Sequence, residues 1–150
     1  MRSDQPDAET KAARPLPPGR LLETALYVQD MAAARRFYES IIGLQPLLAS
    51  PIFCALGIGP GVLLLFLRGG SAEPARTPGG TIPGHDAEGR QHIAFQVPGE
   101  ALRSWEDWLT GRDIAIEGRV SWPRGGHSIF LRDPDGHLIE FATPGLWPNR

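Results

Sequence analysis

Polar and apolar side chains alternate through residues 21–28, with Leu22, Thr24, Leu26 and Val28 on one face and Glu23, Ala25 and Tyr27 on the other. That two-residue period predicts a strand. The period then lengthens. Ala34, Phe37, Tyr38, Ile41 and Ile42 form one helical stripe, Asp30 stands where an N-cap belongs, and Gly43 supplies the stop. Strands are predicted again over 44–48, 52–58 and 62–68, the last two separated by Gly59, Pro60 and Gly61. The first half therefore reads β-α-β-β-β.

Residues 69–89 are rich in Gly, Pro and Ala and show no period, so they read as a linker. The earlier order then returns. A strand is predicted over 91–97 and a helix over 100–109, with Leu102, Trp105, Trp108 and Leu109 inward and Gly111 at its end. Further strands are predicted over 114–120, 127–132 and 137–142. The likeness extends to residues: the hexapeptide starting at Glu23 matches the one starting at His92, an offset of 69, and Gly61 with its following apolar run matches Gly136, an offset of 75. Gly43 and Gly111 are 68 apart. Similar offsets in the same order mark one supersecondary unit used twice. The expected fold is α+β: two βαβββ modules (21–70 and 90–146) joined by a linker (71–89), paired edge to edge into a curved mixed sheet around one trough. A polar, proline-bearing tail over 1–20 is expected to be disordered, leaving one domain over 21–150.

The repeat makes one set of polar residues interpretable. Glu23 and His92 occupy equivalent places, and Glu140 falls where the first half carries Leu65. A Glu on a strand commonly faces solvent and a His on an apolar strand is commonly hydrogen-bonded in a core. Glu140 is different, because it interrupts the run Leu-Ile-Glu-Phe-Ala, and a buried carboxylate without a partner costs several kcal/mol. A cation would satisfy it, with Glu23 and His92 as the other two ligands. One imidazole and two carboxylates suit Zn, Ni, Fe(II) or Mn. Three protein ligands leave positions for water and a substrate oxygen, as in a catalytic site, and the ion would act as a Lewis acid or on the pKa of bound water. Two carboxylates already neutralise a divalent ion, so the substrate must chelate.

Other polar residues allow two readings each. His127 is a general acid or base if it faces the trough. His85 is a lid residue or a solvated loop position, and His137, just after a turn, is expected to be exposed. Asp133 and Asp135 lie in an Asp-Pro-Asp-Gly sequence whose composition is that of a turn. Tyr27, Phe53, Trp122 and Trp147 line a pocket or simply pack the core.

Bulk properties narrow the partners. The chain has 150 residues, 41% hydrophobic, with a formal charge of −2, enough for one well-cored soluble domain. It has no basic stripe of the kind that binds nucleic acid, and its longest apolar run, 62–67, is far too short for a bilayer. The single cysteine, Cys54, reads as a small buried hydrophobe rather than a reactive thiol. With no signal peptide evident, a reducing cytoplasm is the expected location.

These segments also carry a resemblance. Glu23 through Asp30, Arg36-Phe-Tyr38, Ile42-Gly-Leu44, Gln91-His-Ile-Ala-Phe95 and Arg132-Asp-Pro-Asp-Gly-His-Leu-Ile-Glu-Phe141 resemble the vicinal oxygen chelate superfamily, which includes glyoxalase I, extradiol dioxygenases, fosfomycin-resistance transferases and bleomycin-resistance proteins. The likeness spans about residues 20–146. It implies paired βαβββ modules, a divalent metal, a small-molecule substrate and a homodimer. Its ligand positions fall on Glu23, where the family more usually has His or Gln, and on His92 and Glu140. The glyoxalase I carboxylate falls on Leu65. A cationic substrate pocket of the fosfomycin type would draw on Arg124 and Ser128. The expected function is a metal-dependent enzyme on an oxygen-chelating substrate, a glyoxalase-like lyase or isomerase ahead of an extradiol-type dioxygenase, with a metal-free sequestering protein of the bleomycin-resistance type as the alternative.

Overall fold

Two four-stranded sheets carry the fold, and they have the same plan. In this computed structural model, which describes residues 14–148, the first sheet contains β1 (Glu23–Val28), β2 (Gln45–Ala49), β3 (Phe53–Ile58) and β4 (Gly61–Leu67) in the order β1-β4-β3-β2. A short hairpin follows, β5 (Ala75–Thr77) and β6 (Gly80–Ile82). The second sheet contains β7 (His92–Gln96), β8 (Gly118–Ser121), β9 (His127–Arg132) and β10 (Leu138–Ala142) in the order β7-β10-β9-β8. In each, the first strand lies parallel to the last and every other pair is antiparallel. A parallel pair needs a crossover, and a helix supplies it in both halves: α1 (Met31–Arg36) and α2 (Leu102–Thr110). The sequence repeat is thus a structural repeat.

Asp30 caps α1 by accepting the Ala33 N–H at 2.9 Å. The helix continues as a wider π-helical segment, Phe37–Ile42, and stops at Gly43, whose φ of 87° is left-handed. The predicted stripe packs inward throughout, Tyr38 being fully buried. A 3-10 turn, Gly99–Ala101, leads into α2. There Leu109 is buried, but Trp108 is 40% exposed. Its indole N–H donates to the Ile41 carbonyl and its ring carries the Arg112 guanidinium, so it lies across the rim between the helices. Beyond α2 the left-handed turn falls on Asp113 (φ 58°) and not on Gly111.

Each sheet buries one face against its helix. Leu26, Val28, Leu63 and Leu65 point to that side in the first module, Ile129, Leu131, Ile139 and Phe141 in the second. Burying such a side chain contributes on the order of 2 kcal/mol. The predicted strand over 114–120 shortens to β8, while Ile114 and Ile116 pack on the core ahead of it. Residues 14–20 are exposed coil, and the rest of the predicted tail lies outside the described residues.

The register corrects one alignment. His92 pairs with Leu138 as Glu23 pairs with Val62, and Ala94 pairs with Glu140 as Ala25 pairs with Leu64. The first-half counterpart of Glu140 is therefore Leu64, on the open face, and not the core residue Leu65.

The Asp133–Gly136 turn joins the modules. Its 3.0 Å bond from the Gly136 N–H to the Asp133 carbonyl closes it. One Asp133 oxygen accepts the Asp135 and His137 N–H groups, and the other accepts the Tyr38 hydroxyl at 2.8 Å. His137 is fully buried, contrary to expectation. Its Nδ1 accepts the Gln91 N–H and its Nε2–H donates to the Tyr27 carbonyl, both at 2.9 Å, which fixes the tautomer. Asp135 accepts the Gln29 N–H at 2.6 Å.

Candidate functional site

Alternation on β10 places Ile139 and Phe141 against α2 and leaves Glu140 on the opposite, open face, where the neighbouring edge strand β7 presents His92. The His92 Nε2 lies 3.3 Å from the Glu140 Oε2. The other imidazole nitrogen, Nδ1, is 3.0 Å from the Leu138 carbonyl, which can only accept, so Nδ1 carries a hydrogen. In the neutral ring Nε2 is then a bare lone pair aimed at a carboxylate. Two acceptors at that distance repel unless a proton or a metal ion lies between them. A His whose far nitrogen is held by a backbone carbonyl has the orientation of a metal ligand.

Glu140 is 4% exposed. Its Oε1 accepts the Ser128 hydroxyl at 2.5 Å, and the Ser128 oxygen accepts the Trp122 indole N–H at 2.8 Å. This Trp–Ser–Glu chain fixes one carboxylate oxygen and leaves the other for His92 and an ion. Sequence reasoning assigned Ser128 to a different pocket and Trp122 to a wall. The signal was the parity of Ser128 with Phe130 on β9, since Phe130 pairs directly with Glu140.

Glu23 does not join them within one chain. It is exposed on the open face of the first sheet, and no group of three His, Cys, Asp or Glu close enough to hold an ion occurs among the described residues. The physical reason is sheet order: among the described residues β1 and β7 are edge strands of different sheets and do not pair with each other, so the expected edge-to-edge trough is not formed inside the chain.

The first sheet's open face is a cleft of about 780 Å³ reaching from Glu23 to Tyr27, with Phe53, Leu64 and Phe66 on its walls. The predicted linker folds over it. Hairpin β5–β6 lies within that segment, the His85 N–H bonds the Ser71 carbonyl, and the Ser71 hydroxyl returns a bond to the His85 carbonyl. The His85 ring packs against Phe66 with centroids 4.6 Å apart, and its Nδ1 lies 2.6 Å from the Tyr27 hydroxyl. Burial, then the nearby Asp86 carboxylate, push the Tyr27 phenol above its ordinary pKa.

Neither the expected acid or base, His127, nor the expected substrate-pocket cation, Arg124, is brought to Glu140. His127 has the strand parity of the core residues Ile129 and Leu131, opposite to that of Ser128 and Phe130. It is exposed, with Nδ1 3.1 Å from the Ser121 hydroxyl. Arg124 is exposed in the turn between β8 and β9.

Comparison with known proteins bears on this geometry. The family model described as Glyoxalase/Bleomycin resistance protein/Dioxygenase superfamily matches residues 20–141. The chain is 29% identical over 120 residues to the metallothiol transferase FosB of Staphylococcus haemolyticus strain JCSC1435, covering 79% of each protein. It is 38% identical to FosB of Staphylococcus saprophyticus over 56 residues, only 37% of that relative's length. Among solved structures, a lactoylglutathione lyase from Agrobacterium tumefaciens superposes with a TM-score of 0.82 at 31% identity, over 89% of this chain and 99% of that one. A glyoxalase/dioxygenase from Nostoc punctiforme gives 0.63 at 25% identity, over 89% and 98%.

Proposed function

Because the chain belongs to the Glyoxalase/Bleomycin resistance protein/Dioxygenase superfamily, we propose that it is a divalent-metal-dependent enzyme acting on a small oxygen-chelating substrate. The ion, Zn, Ni, Fe(II) or Mn, is held by His92 and Glu140 of one protomer and by Glu23 of the partner subunit in a homodimer. The observation that carries this reading is the 3.3 Å approach of His92 Nε2 to Glu140 Oε2 with Nδ1 already committed to the Leu138 carbonyl. A metal supplies Lewis acidity to a chelated oxygen pair. This chain's own residues do the rest: Ser128 and Trp122 hold Glu140 in place, and the Leu138 carbonyl holds the imidazole.

Two edge strands, β1 and β7, each carrying a ligand at an equivalent position, support the dimer. A second copy related by two-fold symmetry brings β1 of one protomer to β7 of the other. Within the class, a glyoxalase-like lyase or isomerase is preferred over an extradiol-type dioxygenase, given a similarity of 0.82 to a lactoylglutathione lyase. A buried, free Cys54 accords with a reducing cytoplasm. The aromatic cleft favours a second reading, a metal-free protein that sequesters a ligand.

Metal analysis of protein purified without chelator separates the two. The enzyme reading expects about one ion per protomer, lost in Glu140→Ala. Mixed and re-equilibrated Glu23→Ala and His92→Ala proteins, each unable to bind alone, should recover about a quarter of wild-type metal, since half of the dimers gain one intact site. No metal after reconstitution rejects the enzyme, and no recovery on mixing rejects the shared site.

A further inference from the structure

The cleft on the first sheet has a chemistry that neither the metal ligands nor the family assignment specifies. We propose that it holds the uncharged aromatic body of the substrate, with His85 as the positioning residue that donates a hydrogen bond to an acceptor at the far end of that body. The proposal deepens the reading above and rests on it only for where the reactive end lies.

Shape and charge point the same way. Phe53, Phe66 and Tyr27 form a continuous aromatic wall, with ring centroids 5.0 Å apart for the first pair and 5.8 Å for Tyr27 and Phe66, the latter stacked at 23°. Such a wall suits a flat ring packed by offset or edge contact. The charged side chains lining the cleft are Glu23 and Glu73, with no Lys or Arg among the described lining residues. Away from the Glu23 end, where the ion would sit, an anionic body would meet the Glu73 carboxylate and no Lys or Arg among the described lining residues, and an unpaired charge on an apolar wall is strongly disfavoured. The lining selects an uncharged occupant.

The far end is polar at one point. A separation of 2.6 Å between the Tyr27 hydroxyl and His85 Nδ1 is the length of a bond donated by an O–H, shorter than an N–H donor usually gives. Tyr27 therefore donates, Nδ1 accepts, and the ring hydrogen sits on Nε2. No protein acceptor among the described residues takes that hydrogen. Glu23, Ala25 and Tyr27 share one face of β1, so Glu23 and the Tyr27–His85 pair stand roughly 13 Å apart at about 3.3 Å per residue. A ring with a short chelating arm spans that distance.

His85 is held in place. The Gly69 N–H donates to Asp86 at 3.0 Å, Ser71 and His85 exchange two bonds, and a Cβ on Gly84 would overlap the Ala72 carbonyl oxygen. The base of the arm bearing β5 and β6 is closed by contacts too tight for any side chain at residue 84.

The test uses the full chain with chelator present, so that it reads the cleft whatever the fate of the metal site. Amide chemical shifts are followed on titration with acetophenone (neutral, with an acceptor), ethylbenzene (nearly the same shape, no acceptor) and benzoate (anionic). Acetophenone should bind about tenfold more tightly than benzoate, shifting residues around Phe66 and His85. His85→Ala should weaken acetophenone about three- to tenfold and leave ethylbenzene unchanged, and His85→Gln should restore part of the loss. Equal or tighter binding of benzoate overturns the charge argument. An equal loss for acetophenone and ethylbenzene in His85→Ala makes the residue a wall and overturns its positioning role. Dimer formation itself would shift residues near Glu23; shifts at Phe66 and His85 that follow protein concentration and not probe would mean that a second copy fills the cleft, which also overturns the proposal. Metal content is measured separately, so a metal-free protein with the expected probe ranking refutes the enzyme reading and not this one.

Discussion

Ser128→Ala removes one hydroxyl and breaks two bonds. The hydroxyl donates to Glu140 Oε1 at 2.5 Å and accepts the Trp122 indole N–H at 2.8 Å, and Ser128 and Glu140 are both buried. A hydrogen bond to a charged group contributes about 1.5–3 kcal/mol and a neutral one about 0.5–1.5 kcal/mol, and a buried carboxylate oxygen left without its donor bears a desolvation cost in the same range. Allowing for incomplete additivity, the variant should lose about 2–4 kcal/mol, a large part of the roughly 5–15 kcal/mol of a typical domain. Urea unfolding of metal-stripped protein at neutral pH reads this as a lower midpoint with unchanged slope. Ser121→Ala serves as the control, because among the described residues that exposed hydroxyl hydrogen-bonds only with the exposed His127 ring, and it should change stability by less than about 0.5 kcal/mol. The same variant tests the site: freeing one oxygen of a ligand from its anchor should weaken metal affinity about 10- to 100-fold. A Ser128→Ala protein within about 0.5 kcal/mol of wild type would show that the Trp–Ser–Glu chain does not hold the carboxylate, and the reasoning fails.

Three further outcomes are expected. Burial raises the Asp133 carboxyl above its ordinary 3.8, against the hydrogen bonds from Tyr38 and the His137 N–H that pull it down; a raised folded-state value contributes stability that is complete below 3.8 and is lost as pH rises through the raised value. The stability gap between wild type and Asp133→Asn should therefore narrow on going from pH about 3 upward through the acid range, and a gap that is flat or widens refutes the assignment. Burial likewise raises the Cys54 thiol, so an aromatic disulfide reagent should label it only as fast as the protein opens, and immediate stoichiometric labelling in native buffer would contradict its place in the core. Gly84→Ala should spring the base of the arm over the cleft, seen as faster proteolysis within residues 71–89, since the added methyl meets backbone and not a yielding side chain; unchanged proteolysis would show that the arm is not pinned there.

What the sequence disclosed depended on whether the information was local. The period-two face of β1, the Asp30 cap and the Gly43 stop are properties of a few adjacent residues, and all three hold. So does the Asp-Pro-Asp-Gly turn, and with it the placing of Glu140 beside His92. The hairpin β5–β6 was missed because two three-residue strands are too short to show a period. The pairing of Glu140 with Leu65 slipped by one because the alignment was anchored on glycines. Two residues join β3 to β4 whereas five join β9 to β10, so the glycines do not hold equal register. One residue of slip turns a side chain to the other face. His137 sits after a turn, where polarity suggested exposure, yet partners from both modules close over it. Glu23 could be placed on its strand but not relative to the second sheet, because alternation says nothing about how two sheets meet.

Tyr27 answers to three parts of the molecule at once. Its carbonyl receives Arg68 and His137, its N–H goes to Gln91, and its phenol reaches His85. Divergence among proteins of this build should consequently be uneven. Phe53 and Phe66 can be exchanged to admit a new guest at the expense of one wall, whereas a shift of the chain at residue 27 disturbs the seam between the halves as well as the guest, so substrate range should evolve around this position and seldom through it.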